Sequence, residues 1–142
     1  MTTKEYLQQY RRLVVRIRNL EDDIARLEAE IGSSGGTGDG MPKSTEIADP
    51  TARYAIQLAE LKAKRIRMRS EAWAKRDEIQ DVIESVGDPV CARLLHDRYI
   101  LCMRWEEIAI DLNYEPNYTR TKLHRRALGE VIKKTQKDSF CL

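Results

Sequence analysis

Apolar side chains recur along the N-terminal part of the chain at alternating steps of four and three: Tyr6, Tyr10, Leu13, Ile17, Leu20, Ile24, Leu27 and Ile31. Written as heptads, Tyr10, Ile17, Ile24 and Ile31 take position a and Tyr6, Leu13, Leu20 and Leu27 position d, which predicts a helix over 1–31 with a coiled-coil stripe. Thr2 and Glu5 stand at capping-box spacing before it, and Gly32 stands as its stop. Isoleucine at a with leucine at d favours two-stranded parallel pairing, and the same stripe also fits a helix of its own chain.

Residues 32–49, GSSGGTGDGMPKSTEIAD, hold most of the seven glycines of the chain and read as a flexible linker. Asp49 followed by Pro50 then supplies an N-cap and a first-turn proline, opening a second long helix that closes near Gly87. This helix carries two apolar stripes. One runs Tyr54, Leu58, Leu61, Met68, Ala72, Ile79, Val82 and Val86; a second, of smaller residues, runs Ala52, Ala55, Ala59, Ala63 and Ile66 towards Trp73. Two stripes imply two neighbours, the first helix on one side and a second subunit on the other, as in a dimeric four-helix bundle.

Gly87, Asp88 and Pro89 form a stop, an N-cap and a first-turn proline in succession, so a domain boundary is placed there. Beyond it come a helix with Val90, Leu94, Leu95 and Tyr99, a short one from about Trp105 with Ile108, Ala109 and Leu112, and a longer one with Leu123, Ala127, Leu128 and Val131. Three helices joined by tight turns are a helix-turn-helix, with small Ala109 at the helix crossing and Asn113 at a turn that needs left-handed backbone. The predicted fold is all-α, a long helical hairpin or coiled coil (1–31 and 50–87) followed by a C-terminal three-helix domain (88–137) and a short tail (138–142).

Charge sharpens this reading in its distribution rather than in its sum, which is only +2. Residues 88–115 mix Arg93, Arg98 and Arg104 with Asp88, Asp97, Glu106, Glu107, Asp111 and Glu115, whereas 116–137 carry Arg120, Lys122, Arg125, Arg126, Lys133, Lys134 and Lys137 against Glu130 alone. Phosphate neutralisation needs that clustering. The earlier run Lys62, Lys64, Arg65, Arg67 and Arg69 scatters around its helix and reads as solvated surface.

No apolar run approaches membrane-spanning length and MTTKEYLQQYRR has no signal core, so a cytoplasmic protein is expected. Cys91, Cys102 and Cys141 fit a reduced compartment; their spacing with His96 and His124 matches no familiar zinc pattern, and Cys91 and Cys102 read as helix core. No phosphate-cradling glycine loop or HExxH is present, and Glu106 and Glu107 diverge by about 100° on a helix, so neither catalysis nor a cofactor is expected.

Placing Leu123 and Ala127 inward turns Tyr118, Thr121, Lys122 and Arg125 outward as the face for the major groove, with Asn117 near the helix start. Arg120, nearer the core side in this register, and Arg126 are assigned to phosphates. The run RYILCMRWEEIAIDLNYEPNYTRTKLHRRAL resembles the C-terminal part of phage-encoded transcription regulators of the ArpU and RinA type, whose helix-turn-helix is similar to region 4 of bacterial sigma factors. MPKSTEIADPTARYAIQLAEL is similar to the linker and second-helix start of that group. Arg104 departs from it where serine or threonine caps the helix, Asn113 where glycine sits, and NYEPNYTRTKL is one residue longer in the turn. The resemblance implies a late-gene regulator in a bacterial host cell that binds double-stranded DNA as a homodimer or higher homo-oligomer and contacts RNA polymerase. A small terminase subunit recognising packaging DNA and a helical interaction protein that binds no DNA are the alternatives.

Overall fold

The structure, a computed structural model, describes residues 1–34 and 50–140. The glycine-rich segment read as a linker lies, from residue 35 onward, outside the described residues, as does Cys141. The elements are α1 (Thr3–Leu7), α2 (Gln9–Ser34), α3 (Pro50–Glu84), α4 (Pro89–Tyr99), α5 (Trp105–Leu112), α6 (Pro116–Tyr118), a π-helical turn (Thr119–Leu123) and α7 (His124–Phe140). There is no strand among the described residues, and the chain is of the all-α class that its periodicities predict. Two compact units divide it, Val14–Glu71 and Met1–Leu13 with Ala72–Leu142.

The first unit is a helical hairpin. Glu21 pairs with Arg69 at 2.6 Å and Glu28 with Lys62 at 3.3 Å. A seven-residue step up α2 thus matches a seven-residue step down α3, which makes the two helices antiparallel. Leu20 and Ile24 of the heptad stripe are buried, and Ile17, Leu27 and Ile31 are half-buried. On α3 the covered positions are Tyr54, Leu58, Leu61 and Met68. Arg65 shares that covered face and leaves its Nε buried without a hydrogen bond, a local flaw in the packing. Gly32 lies within α2 and does not end it; one glycine costs a helix only about 1 kcal/mol, too little to stop it alone.

The second unit holds the main core, where Ile79, Ile83, Val86, Leu94, Leu95, Ile108, Leu123 and Ala127 converge. Its composition departs from the boundary read at Gly87, because α1 and the last turns of α3 belong to it. The first helix is broken at Gln8. Thr2 Oγ1 accepts from the Glu5 backbone N–H and Glu5 accepts from that of Thr2, closing the capping box. The short helix so fixed buries Leu7 completely, although Leu7 is off the heptad stripe, and the Tyr6 hydroxyl donates to Glu78 at 2.8 Å. The three C-terminal helices therefore share a core with the N-terminus of the chain.

Candidate nucleic-acid interface

Three helix ends position the third helix. Asp88 caps α4, its Oδ1 accepting from the Val90 and Cys91 backbone N–H groups. α4 ends at Ile100, and the chain turns through Cys102 at φ 56°. Cys102 is thus a half-buried turn residue, not the helix core expected of it, whereas Cys91 is fully buried. Arg98 holds the turn, donating to the Met103 carbonyl at 2.9 Å and stacking on Trp105 at 4.6 Å. Arg104 has no side-chain acceptor to cap α5, so Glu107 accepts from the Arg104 backbone N–H instead.

α5 ends at Asn113 with φ 61° and ψ 45°, the left-handed conformation required for the reversal into the third helix. Glu115 then caps α6 through the Asn117 and Tyr118 backbone N–H groups. The third helix starts irregularly. The His124 N–H reaches the Thr119 carbonyl across a five-residue step, so the helix is widened into a π turn at the start of its exposed face. Thr119, Leu123, Ala127 and Val131 consequently lie in one buried row at four-residue spacing.

All seven positions read from the sequence as DNA-contacting are exposed: Asn117, Tyr118, Arg120, Thr121, Lys122, Arg125 and Arg126. Asn117, Thr121 and Arg125 follow one four-residue row and Tyr118, Lys122 and Arg126 the next, both facing away from the buried row. The Thr121 hydroxyl donates to the Asn117 carbonyl at 2.7 Å, and Tyr118 stacks near Tyr114 with centroids 5.7 Å apart. Arg120 is not directed inward; its guanidinium donates to Asn117 Oδ1 at 3.1 Å. Arg126 forms an ion pair with Asp88 at 2.7 Å, and sequence alone gave no sign of it. Lys122 and Arg125 have no ion-pair partner among the described residues.

No match emerges from comparison with family models, curated proteins or solved structures. The interface therefore rests on its own chemistry. It is an exposed helical face presenting guanidinium, ammonium, amide, hydroxyl and phenol groups, the donor and acceptor set that suits phosphates and base edges.

Behind that face the interior is polar at two points. His124 Nε2 lies 2.6 Å from the Tyr99 hydroxyl, with Trp105 edge-on to the ring at 4.7 Å. Burial, with Lys4 and Arg98 as nearby cations, lowers the His124 pKa to about 4. Asp97, fully buried between α4 and α5, has neither carboxylate oxygen in a hydrogen bond of good geometry, although Arg93 Nε comes within 3.3 Å. Burial first, and then Asp111, push its pKa up to about 6. Among the described residues no three His, Cys, Asp or Glu side chains are grouped as a metal site requires, and none of the helices is long and apolar enough to cross a membrane.

Proposed function

We propose that this protein binds duplex DNA through the face of α6, the π turn and α7, as a homodimer, and acts as a phage or prophage transcriptional regulator. The observation that carries this reading is that the third helix, docked by its Thr119, Leu123, Ala127 and Val131 row, turns Asn117, Thr121, Lys122 and Arg125 outward together. A left-handed turn at Asn113 sets it against α5, the geometry in which a recognition helix enters the major groove. Thr121 faces a thymine methyl, Lys122 and Arg125 donate to guanine or phosphate, and Arg120 and Arg126 neutralise phosphates. The regulator assignment follows from the resemblance to the ArpU and RinA type. With it goes a contact with bacterial RNA polymerase, for which α5 offers exposed Glu106, Glu107 and Ile110.

Sequencing genomic fragments retained by the purified protein tests this function. Enriched sites upstream of late operons support a regulator, sites at a packaging locus support a terminase subunit instead, and retention of no duplex at low salt refutes DNA binding.

A further inference from the structure

A face of α3 that overlaps its second stripe is left open. Ile56, Ile66 and Trp73 are 63%, 67% and 60% exposed, and Ala59, Ala63 and Ser70 between them are exposed as well. Their order, 56, 59, 63, 66, 70, 73, alternates steps of three and four, so they form a straight seam about 25 Å long on one helix. This seam differs from the covered face, which Leu58, Leu61 and Met68 turn towards α2.

We propose that this seam is the homodimer interface and that two copies of α3 cross it antiparallel, with the twofold axis between Ala63 and Ile66. The proposal deepens the homodimer reading above and rests on it. Charge along the flanks of the seam selects the arrangement.

Antiparallel pairing places Ile56 opposite the partner's Trp73, Ala59 opposite the partner's Ser70, and Ala63 opposite the partner's Ile66.

Charge favours this pairing. Glu60 and Arg67 flank the seam on one side, exposed and without an ion pair among the described residues. Seven residues apart, they are about 10 Å distant along their own helix and do not pair within it. Across the proposed twofold axis Glu60 meets the partner's Arg67, and Arg67 meets the partner's Glu60. The other flank holds Lys62 and Arg69, which would face their like charges, but Glu28 and Glu21 of the same chain already neutralise both. A parallel dimer would instead bring Lys62 against the partner's Arg67 and leave Glu60 facing Ala55.

Sedimentation equilibrium of the full chain without DNA is the test. Wild type is expected at a mass of two chains, and Ile66→Lys at one chain with unchanged far-UV circular dichroism. Glu60→Arg and Arg67→Glu should each weaken the dimer about tenfold, since each converts two attractive pairs into repulsive ones. The double variant E60R/R67E should recover wild-type affinity. Tighter association of Arg67→Glu, or no rescue by the double variant, overturns the antiparallel arrangement. A two-chain mass for Ile66→Lys overturns the seam but leaves a homodimer joined elsewhere, and a one-chain wild type overturns the homodimer reading itself. None of these outcomes depends on DNA binding.

Discussion

Arg126 Nη2 lies 2.7 Å from Asp88 Oδ2, tying the first turns of α7 to the N-cap of α4. The guanidinium stays more than half exposed, so the pair adds at most about 1 kcal/mol to stability. On the proposed DNA-binding reading the pair would matter more for function, because Asp88 would hold a phosphate-facing cation in place and cancel its charge.

Asp88→Ser keeps an N-cap acceptor for α4 and releases Arg126. DNA affinity at low salt is expected to rise about threefold to tenfold, with a steeper salt dependence, while the urea midpoint moves little. Fluorescence anisotropy on one duplex over a salt series measures this. Unchanged or weaker binding would remove Arg126 from the phosphate contacts.

Leu7→Ala should destabilise the C-terminal unit by about 3 kcal/mol, the usual cost of emptying a fully buried leucine site. Likewise, residues 88–142 produced alone, without Leu7, Ile79, Ile83 and Val86, should not unfold cooperatively on heating. A cooperative transition in that fragment would show that the N-terminal contribution to the core is dispensable.

The heptad stripe of α2 was readable because every fourth and third residue repeats the same chemistry. Leu7 was not, because it falls off that stripe and is buried only when the helix breaks at Gln8. The three C-terminal helices were legible through Pro89, Asn113 and the apolar spacing, but not their reliance on α1. On the third helix, the outward positions of Tyr118, Thr121, Lys122 and Arg125 followed from Leu123 and Ala127 alone, whereas the exposure of Arg120 did not. The π turn did not, since nothing in TRTKL distinguishes a five-residue hydrogen-bond step from a four-residue one. The ion pair of Arg126, made across 38 residues of sequence, is a tertiary fact that no local pattern encodes.

Two buried groups give the fold opposing pH responses. His124 has its pKa lowered to about 4, so the native state binds fewer protons than the unfolded chain, and stability falls as pH drops from about 6.5 to 4, by about 3 kcal/mol in all. Asp97 has its pKa raised to about 6, so its neutral form suits the fold and stability is lost as pH rises from about 4 through 6. Asp97→Asn should therefore stabilise the protein by on the order of 1 kcal/mol at pH 8, give no gain at pH 3.5, and uncover the histidine-driven fall. Urea denaturation across pH 3.5 to 8 checks this, and a pH-independent midpoint in the Asp97→Asn variant would contradict it.

Asn113 adopts φ 61°, which glycine reaches without strain and a β-branched residue does not. Asn113→Gly should match wild type within about 0.5 kcal/mol, whereas Asn113→Val should cost about 1–2 kcal/mol. Equal thermal midpoints for the two variants would argue against the left-handed turn.

The central claim is that the outward face of the third helix reads DNA, and affinity for a selected genomic duplex, measured for Arg125→Ala and for the combined alanine variant of Tyr118, Thr121, Lys122 and Arg125, tests it most directly. Arg125→Ala should lose about 1–3 kcal/mol and relax preference at one base position, and the combined variant should fall to non-specific affinity with its fold intact. Wild-type affinity and sequence preference in the combined variant would contradict the account.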